Sequence, residues 1–165
     1  MTTRREMIVA AGLGGATLLA AARREAFGGG DGATDPAAAR ALLDRYVAAV
    51  NAHDTSVFAE IFTQSYIQHS GRSPSGLAAQ VENFRRIIAS MPDVRMTVDD
   101  RIVEGDKIVA RTTYSATHTQ PLRGIAPTGK AFTFRTIDIW RIENGKFAEH
   151  WDLTDAAEVI GKLRD

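Results

Sequence analysis

The chain has 165 residues, 44% apolar and 24% charged, an ordinary globular composition with room for one domain's core but not for two. Lysine plus arginine equals aspartate plus glutamate at 20 each; setting aside residues 1–30, with four arginines against two glutamates, leaves 16 basic and 18 acidic groups, so no positive field exists to gather nucleic acid or anionic lipid. The absence of cysteine excludes disulfides, thiolate metal sites and thiol nucleophiles.

Residues 1–34 read as an export signal and flexible linker, and residues 35–165 as the folded domain. Thr3-Arg4-Arg5-Glu6-Met7-Ile8 resembles a twin-arginine signal, and Met7 to Ala22 is apolar apart from Thr17 but rich in glycine. That stretch is too short and too weakly apolar for a transmembrane span, and Ala20-Ala21-Ala22 offers small residues for cleavage. The expectation is export to the periplasm or beyond, with no stable membrane insertion of the mature domain. Gly28-Gly29-Gly30-Asp31-Gly32 is then a linker.

Asp35-Pro36 is a helix start, since the carboxylate caps free N–H groups and proline is tolerated in the first turn. Leu42, Leu43, Tyr46, Val47 and Val50 form one helical stripe. A second short helix is expected over residues 55–62 and a third over residues 76–91, where Leu77, Val81, Phe84, Ile87 and Ile88 recur at helical spacing before Pro92. Three helices would therefore precede the sheet. From Val94 the period changes to two: strands are expected over residues 94–102, 108–119, 132–142 and 146–153, with a loop from Pro121 to Lys130. Helices followed by an antiparallel meander define an α+β fold, with helices packed on one face of a curved sheet and a cavity between the layers.

Which side chains line that cavity depends on the last hairpin. A three-residue loop at Glu143-Asn144-Gly145 pairs Ile142 with Lys146 and Asp138 with His150, and gives Asp138, Trp140, His150 and Asp152 a common face. A two-residue Asn144-Gly145 loop would instead set Asp138 opposite Trp151 and part the two aspartates. The three-residue loop is preferred because it keeps both aspartates on one face.

A carboxylate on a dry cavity wall beside a second carboxylate is suited to moving a proton at a carbon next to a carbonyl. Asp152, Asp138 and His150 are the candidate catalytic residues. His118, His69, Trp140 and Tyr114 are the candidate substrate contacts, the two aromatic side chains offering flat apolar surface. The bland alternative makes Asp152 a cap for the helix after Thr154 or a partner of Arg135 or Arg141. His69, His118, Asp138 and His150 lack metal-ligand spacing, so no metal is expected.

Several segments together carry a family resemblance. The stretch from Thr117 to Lys130, with His118, Gly124 and Pro127-Thr128-Gly129-Lys130, resembles the loop H-x-G-x-x-x-G-x-x-P-T-G-R/K of SnoaL-like polyketide cyclases. Gly145-Lys146-Phe147-Ala148-Glu149-His150-Trp151-Asp152 is similar to their G-K-x-x-E-x-W-x-x-x-D ending, and Tyr66-Ile67-Gln68-His69 to their segment after the second helix. The resemblance implies a cystatin-like, or nuclear transport factor 2-like, half-barrel. It also implies intramolecular aldol ring closure, as in polyketide or ester cyclases, or isomerase chemistry, without metal or organic cofactor. By position Asp152 matches the family's acid/base aspartate, while Asp138 stands where the family has a histidine. A small apolar carbonyl compound is the expected partner, and an exported binding module without turnover is the alternative. The outer sheet face, with Arg111, Thr113, Arg135, Ile137 and Ile139, is expected to bury itself in a homodimer.

Overall fold

A computed structural model describes residues 32–164; the expected signal and most of the linker lie outside the described residues. Helix α1 spans Pro36–Ala52, with the Asp35 side chain accepting from the Ala37 N–H at 3.0 Å. Ala39, Leu42, Leu43, Tyr46, Ala49 and Val50 form its buried stripe. The helix ends at His53, whose left-handed backbone (φ 56°) closes the last turn. Asn51 brackets the main chain of Met96, donating at 3.0 Å and accepting at 2.7 Å, and so fixes α1 against the sheet.

Helix α2 is only Phe58–Ile61, and the chain then enters a strand, β1 (Phe62–Gln68). Helix α3 (Leu77–Ser90) follows, so the expectation of three helices before any strand is corrected: β1 divides them. Its signal is weak because only Phe62 and Tyr66 are buried along it, and a register irregularity between Phe62 and Ile67 breaks the alternation. Strands β2 (Arg95–Glu104), β3 (Lys107–Thr117), β4 (Ala131–Glu143) and β5 (Lys146–Thr154) form the meander, and α4 (Ala156–Gly161) with a final turn of 3₁₀ helix closes the described chain.

The open sheet has the order β1-β5-β4-β3-β2, antiparallel throughout except for the parallel pair β1 and β5. β4 alternates without a break: Phe132, Phe134, Thr136, Asp138, Trp140 and Ile142 face inward. One core gathers α1, α2 and the inner face around Trp140, Phe147, Phe58 and Phe62. A second gathers Met91, Val94, Leu122, Ile125, Phe132, Phe134 and α4. Aromatic pairs such as Phe62 with Tyr66 (4.8 Å) and Trp140 with Phe147 (5.3 Å) knit the first core.

The β4–β5 turn corrects the expected loop. Glu143 pairs with Lys146, leaving a two-residue Asn144-Gly145 turn with both φ angles positive, 50° and 72°. One pair further on, Ile142 faces Phe147 but Arg141 faces Glu149, so Ala148 is an extra residue. Phe147 and Ala148 are consequently both buried. The bulge moves the register by one, which sets Asp138 opposite Asp152 and Trp140 opposite His150. The common face of these four residues was expected, but the pairing of Asp138 with His150 was not observed.

Candidate active site

The inner face is apolar at both ends of β4 and polar in the middle. Thr136 and Asp138 lie between Phe134 and Trp140, and β3 brings Thr112 directly opposite Thr136. A cavity of about 560 Å³ opens over this polar window. Its walls come from both cores, with Tyr46 and Phe84 on one side and Leu122, Phe134 and Ile160 on the other.

Asp138 is 4% exposed and accepts from three side chains. Thr112 Oγ1 donates to Oδ2 at 3.1 Å, Thr136 Oγ1 donates to the same oxygen, and His150 Nε2 lies 3.0 Å from Oδ1. The tautomer of His150 follows from Gln68. The Gln68 Oε1 accepts from the Ser70 N–H at 3.2 Å, which turns its amide nitrogen toward His150 Nδ1 at 2.9 Å. Nδ1 is thereby the acceptor and Nε2 carries the proton donated to Asp138. Stacking on Trp140 (4.8 Å, 5°) fixes the ring plane.

Asp152 faces Asp138 across the strand pair, an unfavourable meeting of like charges that each relieves through its own partners. Oδ2 of Asp152 is engaged by Arg72, from the loop of residues 69–76, while Oδ1 is buried and has no hydrogen-bond partner among the described residues. Neither sequence alternative for this residue holds. Arg141 is spent on Glu143 and Glu149, Arg135 donates its main-chain N–H to Asp155, and the Thr154 hydroxyl receives the Ala156 N–H.

Tyr46 and Tyr114 also line the cavity. Burial, reinforced by the Asp138 charge, pushes the phenol of Tyr46 far above its ordinary value. Burial and then the neighbouring Tyr46 and Asp138 do the same to Tyr114. Both phenols are thereby held in the protonated form, which is able to donate a hydrogen bond.

Of the residues singled out from sequence, Asp138, Asp152, His150 and Tyr114 line the cavity. His69, His118 and Trp140 do not. Trp140 is a core residue behind His150, 1% exposed. His69 lies at the end of β1 with the opposite parity; it stacks on Trp151 (4.3 Å, 2°) and contacts Glu149 at 2.8 Å on the outer side. His118 is fully buried at the base of the loop of residues 118–130, with Nδ1 on Thr128 at 3.0 Å and Nε2 without a partner among the described residues. Gln68, Tyr46 and Arg72 join the site without having been anticipated. Gln68 needed β1 to be recognised, because only then does parity send Gln68 inward and His69 outward. Tyr46 read as one more member of an apolar stripe.

A family model described as SnoaL-like polyketide cyclase matches residues 40–163. No curated protein matches the chain. TsrD from Streptomyces laurentii is 33% identical, with 79% of this chain and 97% of TsrD covered and a TM-score of 0.72. AclR from Streptomyces galilaeus, provisionally described as a hydroxylase, is 26% identical over 78% of this chain and 86% of its own, with a TM-score of 0.71. IdmH from Streptomyces antibioticus, provisionally described as a polyketide cyclase, shares the fold at 23% identity, covering 75% of this chain and 96% of its own, with a TM-score of 0.67.

Proposed function

This chain belongs to the SnoaL-like polyketide cyclase family, and from that premise we propose that it is a cofactor-free acid/base enzyme for a small carbonyl compound, with Asp152 as the proton acceptor. The observation that carries the reading is Asp152 Oδ1, an acceptor without a partner on a side chain only 8% exposed, at the wall of a cavity. A buried acceptor left unpaired costs about 1–3 kcal/mol, so its retention points to a ligand that supplies the missing proton.

In the proposed reaction Asp152 Oδ1 takes a proton from the carbon next to a carbonyl; the electron pair of that C–H bond forms a carbon–carbon double bond, and the carbonyl π pair moves onto the oxygen. The phenol of Tyr46 or Tyr114 donates a hydrogen bond to the resulting enolate. The enolate carbon then attacks a second carbonyl of the same molecule, and Asp152 returns its proton to the new alkoxide. Reprotonation at a different atom gives isomerisation instead. Asp138 and His150 are assigned to the wall beside this event, His150 held by Gln68 and Trp140.

The test is deuterium uptake at the α-carbon of β-keto esters and cyclic diketones in D₂O, followed by NMR. Asp152→Asn keeps the shape of the side chain but removes its basicity, and uptake should fall by a factor on the order of 10² to 10⁴ with the melting temperature nearly unchanged. Full exchange by the variant would place the base elsewhere. Loss of its melting transition would make Asp152 structural through Arg72.

A further inference from the structure

We propose that the cavity selects ligands bearing a carboxylate, held at its mouth by Arg86 and Arg123 while the reacting end points inward to Asp152. The inference rests on the same cavity being the ligand site, but it does not require Asp152 to transfer a proton.

Three arginines line the cavity, Arg72, Arg86 and Arg123, against two acids, Asp138 and Asp152. The ion pairs among the described residues engage Arg45, Arg72, Arg101, Arg111 and Arg141, but neither Arg86 nor Arg123. Arg72 already answers Asp152, and Asp138 is answered by Thr112, Thr136 and His150. Two guanidinium groups are therefore left without a countercharge at one opening.

Their placement gives the cavity a polarity. Arg86 lies in the second half of α3 and Arg123 on the loop of residues 118–130, and both are exposed, whereas both aspartate side chains are buried. A carboxylate entering this space is repelled by the floor and attracted at the rim, so it fixes which end of the molecule goes in. The guanidinium fork matches a planar carboxylate and binds it through paired, charge-assisted hydrogen bonds. At the inner end the unpartnered Oδ1 of Asp152 accepts the acidic C–H or hydroxyl of the same molecule. Arg123 also holds a left-handed backbone conformation (φ 49°) immediately before Gly124. That conformation is disfavoured for a side chain of this kind, and the arginine that holds it lines the cavity.

The probe pair is 2-naphthoate and its neutral isostere 2-naphthamide, titrated into the full chain by fluorescence at neutral pH and low salt. The wild type should bind the carboxylate about tenfold or more tightly than the amide, and added salt should shrink the difference. Arg86→Gln with Arg123→Gln, which keeps polar side chains at exposed positions, should reduce the preference to less than about twofold while leaving amide affinity unchanged. Arg85→Gln, at an exposed position of the same helix that does not line the cavity, should retain the preference. Equal affinity for both probes in the wild type would overturn the carboxylate inference and leave the cavity reading standing. A preference that survives the double variant, or one that disappears with Arg85→Gln alone, would overturn the assignment to Arg86 and Arg123. Binding of neither probe would overturn both the inference and the cavity as a ligand site.

Discussion

Asp138 is committed to its own wall. With His150 on one oxygen and two threonine hydroxyls on the other, its carboxylate acts as an acceptor for three donors. Asp138→Asn would turn one acceptor into a donor facing another donor, and should cost about 1–3 kcal/mol of stability in urea denaturation. A loss below about 0.5 kcal/mol would mean that these bonds are not holding the strand pair together. On the outer side, the hydrogen bond from His69, followed by that from Arg141, holds the Glu149 carboxyl below its ordinary value of 4.5. A depressed carboxylate stabilises the fold fully above its unfolded value, and that contribution disappears as pH falls through the lower folded value. The stability gap between wild type and Glu149→Gln should therefore be constant near neutrality and shrink once the pH falls below about 4.5, as read from melting temperatures across the acid range. A gap independent of pH down to acid unfolding would contradict this sign.

At the scale of elements, the β4–β5 hairpin holds the two aspartates together through two compensating features. The Asn144-Gly145 turn alone gives the register that would part them, and the extra residue Ala148 restores it. Gly145 has φ 72° in this turn, so Gly145→Ala should cost about 1–2 kcal/mol in melting experiments, whereas Gly161→Ala, at ordinary helical φ, should not. The alternation of β4 was legible in the sequence because every second residue from Phe132 to Ile142 is buried. It places Asp138 and Trp140 on one face; that His150 and Asp152 share it rests on the expected three-residue loop, and the observed two-residue turn with its bulge reaches the same face by another register. The bulge was not legible: Phe147 and Ala148 are both apolar, and two adjacent apolar residues do not say which of them is extra. Nor was β1, whose exposed Ile67 and buried Tyr66 invert no clear pattern. Arg72 lies in a loop rich in glycine and serine, where nothing local indicates that it reaches Asp152.

Across the whole molecule, the face opposite the cavity exposes Ile102, Ile137 and Leu153 at 61%, 51% and 77%. Ile137 and Leu153 are paired on neighbouring strands, with Arg111 beside Ile137. A homodimer through this face is the proposed assembly, and sedimentation should give twice the chain mass for the wild type and a monomer for Ile137→Lys with Leu153→Lys. A monomer at all concentrations for the wild type would rule it out. On the cavity side, one short loop, residues 69–76, reaches two separate parts of the lining. Ser70 orients the Gln68 amide that sets the His150 tautomer, and Arg72 covers one oxygen of Asp152. Ser75 receives the Gln68 main-chain N–H as well, so the loop is moored to the end of β1. The orientation of Asp152 and that of His150 thus hang on one stretch of eight residues, so a change in its length or sequence would be felt at both side chains together.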